Sequence, residues 1–497
     1  MQDSVKIIDR VYVLACDEAG SGGLGSVVIR NDRIHAIGPV NHAFQVQFPQ
    51  AERIDGTGKV LLPGFIDAHY HGESSLLHIL TAGSPVSKWP RLPRYRAMDE
   101  ALRTTATYED WLALYRSAYY AALRAGVTTL AEFGRPDTDT AFAACVAAFR
   151  AVSLRGMLAI HNGDQLEASR SVRSPSMAFS MALSSSEELT TYNLQTTMRL
   201  ARDHRLPVTV HIGETGRDAE SIRKNFRKTY VDLLAEYQVF SSTCLPVHFS
   251  ILNDDDLLLL KRAGSRIAVA PLAAAMKGFE LPPLEALAEA GVEAVLGTDW
   301  GPVRPWQALR KAAQQLSVPA MDLLHMHTSG AARYLGVGQE LGRVAPGMKA
   351  DLLMVRSPFA DVRAVLNDLG PSMVAELLLH RASESDVSDV MVNGEFYVRE
   401  GNILMYAEED LHNDLRRLLA LAPAEEQPKV PTVPSAAETP SEDVGHAEDS
   451  THEEGFRIVH RSPAPRPAGP ILPLTPPGAP GRELPPNVRR VFGDEDV

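Results

Sequence analysis

The chain has 497 residues, with 49 Lys and Arg against 62 Asp and Glu for a net charge of −13, and 45% of it is hydrophobic. That length supplies a large core and a prior of two to four domains, while the acidic balance excludes a protein that holds nucleic acid or a membrane surface through a basic face. Three cysteines (Cys16, Cys145 and Cys244) with no CxxC pair exclude a disulfide framework, and neither a secretory leader nor an apolar run of membrane-spanning length is present, so a soluble cytoplasmic protein is expected.

In chain order, residues 1–58 read as short strands. An apolar run over 5–14 is followed by a Gly-rich turn over 18–25. Two further runs, 26–30 and 33–37, flank Asn31-Asp32, a hairpin signal. From about 60 to 335 the texture changes to strand-length apolar runs alternating with helical patterns. The strands are predicted at 65–71, 127–133, 157–161, 177–183, 207–213, 245–249, 266–271 and 294–299. Helices are predicted at 108–125, 138–152, 185–204, 219–237, 254–263 and 283–290. Eight strands with intervening helices predict an α/β chain with a closed (β/α)8 TIM-type barrel over 59–339. An open doubly wound sheet also alternates, but no Gly-rich phosphate fingerprint follows any strand. Strand texture returns at 351–355 and 387–392, and Asn393-Gly394 marks a hairpin before 395–399. The two β-rich ends, 1–58 and 340–405, are expected to pair into one small β-sandwich domain, since chain termini often lie close together. Residues 422–497 mix Pro with Glu, Asp, Ser and Ala and have no sustained apolar period; from 421 onward the chain carries 15 of its 34 prolines. A disordered tail is expected there. Its two Arg-and-apolar islands, 456–462 and 487–493, read as solvated tail or as a docking peptide for an unidentified protein.

A barrel of this kind does its chemistry at the C-terminal ends of its strands. The first strand ends Asp67-Ala68-His69-Tyr70-His71, and alternation sends His69 and His71 to the same side. The fifth ends in His211, the sixth carries His248, and the eighth ends in Asp299. Any one of these alone is as easily a core histidine or a helix cap. Together they place four imidazoles and a carboxylate at one mouth, a donor set suited to Zn²⁺ or Fe²⁺.

Leu62-Pro63-Gly64-Phe65-Ile66-Asp67-Ala68-His69-Tyr70-His71 resembles the first-strand signature of the amidohydrolase superfamily. His211-Ile212-Gly213-Glu214-Thr215 resembles the His-x-x-Glu of its aminohydrolase branch, which includes cytosine, guanine and adenosylhomocysteine-type deaminases and triazine hydrolases. Leu296-Gly297-Thr298-Asp299 and the run from Gly342 to Leu352 match the branch's eighth strand and its return to the small β domain. The resemblance implies that His69, His71, His211 and Asp299 ligate one divalent metal, zinc first and iron second. Glu214, His248 and Asp299 would then work on the substrate and the attacking water. The chemistry is coherent: a metal lowers the pKa of its water from about 15.7 to about 7, Asp299 accepts a proton, His248 orients the nucleophile, and Glu214 protonates a ring nitrogen and the departing amine.

Dinuclear members of the superfamily bridge their metals with a carboxylated lysine on the fourth strand. This chain has no Lys between Lys88 and Lys224, and Glu132 and Glu167 are the candidates to replace that bridge. One metal is therefore expected. Where the branch carries Pro-x-Ser-Asn after the seventh strand, this chain has Pro271-Leu272-Ala273-Ala274, and a polar substrate contact is missing. Trp300 follows Asp299 and either stacks on a flat substrate ring or packs against the next loop; separately, the stretch over 72–103, which holds Trp89, Pro90, Pro93 and Tyr95, is expected to cover the site and shape specificity. His161, at the end of the third strand, is a second candidate substrate contact, whereas His325 and His327 are read as structural. The expected function is hydrolysis of a non-peptide C–N bond in a small molecule, with deamination of an amino-heterocycle foremost. The alternatives are an amidase, a cyclic-amide or chloro-heterocycle hydrolase, and a catalytically silent scaffold. Barrel enzymes commonly self-associate, so a homo-oligomer is compatible with this reading.

Overall fold

Two sheets account for the strands of the computed structural model, which describes residues 3–421 apart from 41, 82, 135–138, 173, 184–188, 242 and 358–367. The tail expected over 422–497 lies outside the described residues. The chain opens with Val5–Leu14 (β1), Gly22–Arg30 (β2), Arg33–Gly38 (β3), Glu52–Asp55 (β4) and Lys59–Pro63 (β5). Eight strands follow: Phe65–Tyr70 (β6), Val127–Glu132 (β7), Arg155–Ile160 (β8), Met177–Leu183 (β9), Val208–Ile212 (β10), Cys244–His248 (β11), Arg266–Val269 (β12) and Glu293–Leu296 (β13). The chain returns through Leu352–Arg356 (β14), Val387–Val392 (β15), Glu395–Arg399 (β16) and Asn402–Ile403 (β17).

The first sheet runs β17-β16-β15-β14-β5-β1-β2-β3, with β4 also on β1. β5 joins the two chain ends: it lies parallel to β1 and antiparallel to β14, with Leu352 opposite Pro63. Early and late strands therefore share one continuous sheet. β5 belongs to this sheet, although the sequence reading starts the barrel at residue 59. All five of its residues are buried, so no alternation separates it from the equally buried β6. The chain crosses between sheets at Gly64, where a Cβ would collide with the Thr128 side chain. The Asn393-Gly394 turn has both residues at positive φ, 52° and 77°, as a two-residue hairpin of the primed type requires.

The second sheet, β6 through β13 in order, is the parallel barrel. Its helices start where local chemistry dictates. The helix Tyr108–Arg124 opens on Thr107, which forms a capping box with Asp110, and buries Trp111, Leu114, Tyr115, Ala118, Tyr119 and Ala122 along one face. The single helix expected over 219–237 is instead two, Gly216–Phe226 and Tyr230–Glu236. Arg227 adopts a left-handed conformation that ends the first, and the Thr229 side chain caps the second. The helix Glu408–Leu421, which the sequence reading leaves unassigned, packs on Tyr108–Arg124 through buried Leu418 and the bidentate Arg116–Asp414 pair. At the end of the barrel opposite the strand C-termini, buried Arg155 donates to Asp351, which also accepts from the Asn393 amide. That pair fastens β8 to the mixed sheet. Among the described residues no helix is long and apolar enough to cross a membrane.

Barrel closure builds the site. The residues just past β13 bridge back to β6: Asp299 N donates to His69 O at 2.8 Å and His71 N donates to Asp299 O at 3.0 Å. Buried Asp67 accepts from Thr298 N at 2.9 Å and from the Thr298 hydroxyl, tying first strand to last. Gly297 permits this approach, because a Cβ there would lie 2.8 Å from both the amide nitrogen and the carbonyl oxygen of His69.

Candidate metal centre

Closure brings His69 and Asp299 together, and the adjacent ends of β10 and β11 add His211 and His248. His71, one residue past β6, points the same way as His69. Asp299 Oδ1 is buried and accepts no hydrogen bond. Around it stand four imidazole Nε2 atoms, from His71 at 3.4 Å, His69 and His248 at 3.5 Å, and His211 at 3.8 Å. Two pairs of Nε2 atoms approach each other, His69 with His71 at 3.2 Å and His211 with His248 at 3.0 Å. An orphaned buried carboxylate oxygen ringed by imidazole nitrogens is what a divalent cation satisfies. The donor atoms of His69, His211, His248 and Asp299 all lie within 4.8 Å of one another, and His71 flanks them. Among the described residues this is the one such group.

Protonation favours ligation at His69 and His211, whereas at His71 burial alone would lower the imidazole but its Glu73 partner raises it above the ordinary histidine value. Burial holds His69 well below the ordinary histidine range, and burial with His248 nearby takes His211 down to about 4. Both are neutral at pH 7, the state in which imidazole binds a metal. Burial alone would raise the Asp299 carboxyl, but Lys277 and His248 keep it well below the usual carboxylate range. Three non-Gly residues here hold positive φ, His248, Phe249 and Asp299 at 73°, 48° and 57°, each at a cost of about 1–3 kcal/mol.

The remaining candidates divide. Glu214, in the loop after β10, is held at the centre, its Oε1 accepting from Lys277 Nζ at 2.5 Å. Lys277 is buried and also donates to Asp299 Oδ2 at 2.6 Å. His161 turns its Nε2 to the Phe133 carbonyl at 2.9 Å. Trp300 stacks on Trp89, in the stretch that follows β6 rather than in the loop after Trp300, at 4.0 Å between ring centroids, so one of its faces is packed within the protein. Neither glutamate considered as a metal bridge joins the cluster. Glu132 accepts from the Gly72 amide and the Tyr119 hydroxyl, and Glu167 pairs with Arg170 on the surface. His327 is buried and donates through Nδ1 to the Ile66 carbonyl.

Three residues outside the sequence reading complete the centre. Lys277 is the first. Phe133 is the second, stacked on His211 at 5.1 Å and packed against His69, His71 and His161. Glu73 is the third, its carboxylate 3.5 Å from His71 Nδ1, the position from which an outer carboxylate fixes a ligating imidazole.

The amidohydrolase family model matches residues 60–396, and the chain belongs to that family; it is a hydrolytic enzyme. The 5-methylthioadenosine/S-adenosylhomocysteine deaminase of Syntrophobacter fumaroxidans is 26% identical over 418 residues, which cover 79% of this chain and 92% of that protein. The Pyrococcus furiosus protein of the same name is 25% identical over 410 residues, covering 77% and 94%. An adenosine deaminase from Xanthomonas campestris, solved with bound zinc, shares the fold with a TM-score of 0.72 at 18% identity, over 83% of this chain and 97% of that one.

Proposed function

We propose that this hydrolase removes the exocyclic amine of an amino-heterocycle, with a 6-aminopurine nucleoside of the methylthioadenosine or adenosylhomocysteine type as substrate. The observation that carries the proposal is Glu214, fixed beside Asp299 at a centre of four imidazoles. His69, His71, His211 and Asp299 are assigned as ligands of one divalent metal, zinc in the first place, which supplies an acidified water when bound. Water adds at the carbon that bears the amine, that C–N bond breaks, and ammonia leaves. His248, on the far side of His211 from β9, orients the nucleophile. Glu214, ionised beside Lys277, takes one of the water's two protons and passes it to the ring nitrogen; Asp299 accepts the other, which Glu214 relays to the departing amine, so the ring N–H and the ammonia carry both. General acid–base work of this kind contributes about 10²–10⁴-fold. Phe133 makes one wall apolar, which strengthens every charge interaction inside. The names of the curated relatives support the nucleoside, and the Ala273-Ala274 pair supports a ring recognised more by packing than by polar contacts on that side.

The test is ammonia release by zinc-reconstituted protein from 5′-methylthioadenosine, S-adenosylhomocysteine, adenosine, guanine and cytosine, with Glu214→Gln alongside. The expected result is turnover of an adenosine derivative, abolished in Glu214→Gln while zinc stays bound. Ammonia from none of them, with hydrolysis of a cyclic amide or chloro-triazine instead, would overturn the substrate. Normal turnover by Glu214→Gln would overturn the proton path.

A further inference from the structure

Lys277 is a cation where the site already expects one. It sits in the last turn of the short helix Pro271–Lys277, which starts as β12 ends and stops at Gly278 in a left-handed conformation. Its side chain is buried, and its ammonium contacts two carboxylates and no other described acid: Glu214 Oε1 at 2.5 Å and Asp299 Oδ2 at 2.6 Å. Burying an ammonium is costly unless it is paired, and barrel closure does not need this one, since Asp67 and the Asp299 backbone perform it. What the lysine does is divide the labour of the two carboxylates. It occupies Asp299 Oδ2, which leaves Oδ1 alone to face the imidazoles. It also draws Glu214, a loop residue with no strand or helix to fix it, onto the same point.

We propose that Lys277 is a positioning residue and resident counter-cation: it restricts Asp299 to a single ligating oxygen, holds Glu214 over the centre, and competes electrostatically with the metal for the negative charge they share. The proposal rests on Asp299 as a ligand and Glu214 as the proton carrier. It makes a prediction whose sign separates it from simple bracing. A lysine that only braced the centre would, when removed, loosen the metal. A competing cation, when removed, tightens it, because like charges a few ångströms apart in a buried site repel strongly.

The experiment measures the zinc dissociation constant by chelator competition for the wild-type chain, Lys277→Met, Lys277→Arg, Glu214→Gln and the Glu214→Gln/Lys277→Met double variant, with kcat and KM alongside. Lys277→Met is expected to bind one zinc at least about tenfold more tightly than wild type. Its kcat should be lower by about 10²-fold or more and its KM little changed, since Glu214 is no longer held in place. Lys277→Arg keeps the charge and should restore part of kcat and the wild-type zinc affinity. If Lys277→Met does not fold, the double variant, which removes one charge of each sign, should fold and bind zinc more tightly than Glu214→Gln alone. Equal or weaker zinc binding in the lysine-free member of either pair would overturn the proposal. Failure of the wild-type chain to bind zinc at all would instead overturn the metal assignment beneath it.

Discussion

Gly297→Ala tests whether barrel closure and the metal centre are one construction. The added Cβ meets backbone: the His69 nitrogen and oxygen at 2.8 Å and the His69 Cβ at 3.0 Å. Carbon contacts become comfortable only near about 3.5 Å, so the strands must separate by roughly half an ångström, and no flexible side chain can yield in their place. The separation pulls on Asp299 N to His69 O, His71 N to Asp299 O and Thr298 N to Asp67. Overpacking of this sort costs about 1–3 kcal/mol, and weakening two or three buried hydrogen bonds adds about 1 kcal/mol each. The expected loss is therefore about 3–5 kcal/mol, read as a lower urea midpoint with unchanged slope. Because the same shift moves His69, His71 and Asp299 against His211 and His248, zinc per chain after dialysis should fall well below one. A Gly297→Ala protein that keeps wild-type stability and a full complement of zinc would refute the link. Loss of stability with zinc fully retained would show that the centre tolerates a displaced strand.

Two further predictions concern the framework. Burial takes His327 down to about 4; because the folded form binds fewer protons than the unfolded chain between about pH 4 and 6.5, this residue's share of stability is present above that window and is lost as pH falls through it, a total of about 3 kcal/mol. His327→Asn, which keeps a donor for the Ile66 carbonyl, should flatten the pH dependence of the urea midpoint across that window in zinc-loaded protein; an unchanged slope would exclude His327 as a source. Arg155→Met strands a buried Asp351 carboxylate and should cost about 3–5 kcal/mol, whereas Arg155→Met with Asp351→Leu should cost less because no charge is left unpaired. Denaturant titration of the two variants decides it, and a double variant no more stable than the single one would mean the pair is not the fastening between β8 and the mixed sheet.

The fold was legible wherever two signals agreed. β9 falls at the predicted 177–183, and the helix Tyr108–Arg124 falls within one residue of its prediction, because apolar period and terminal chemistry coincide there. Legibility failed where one signal was silent. β5 and β6 are both wholly buried and separated by one glycine, so hydrophobicity does not divide them between two sheets. The break at Arg227 is a non-Gly residue in a left-handed conformation, which composition does not announce, although Thr229 three residues before Asp232 is a capping signal within the expected helix. The convergence of His69, His71, His211, His248 and Asp299 was legible because strand ends of a closed barrel face one mouth. It needed only the strand assignments.

Lys277 was hidden for a different reason, and that reason indicates where such residues can be found. It is 63 residues from Glu214 and 22 from Asp299 in sequence, and it lies on no strand, so a search of strand ends passes over it. Yet both ends of its helix are written in the chain: Pro271 at the first turn, where the missing amide costs nothing, and Gly278 immediately after the last residue. A seven-residue helix hung on the end of β12 rises by only about 10 Å, so a long side chain from its last turn remains within reach of the barrel mouth. The substitution of Ala273-Ala274 for polar residues acts in the same direction. With no polar atoms on the two side chains after Leu272, the first flexible polar group that the helix offers the centre is the ammonium of Lys277. The departure from the family's pattern and the unanticipated lysine thus share one short helix: its first turn loses polar contacts, and its last turn brings a charge to Glu214 and Asp299.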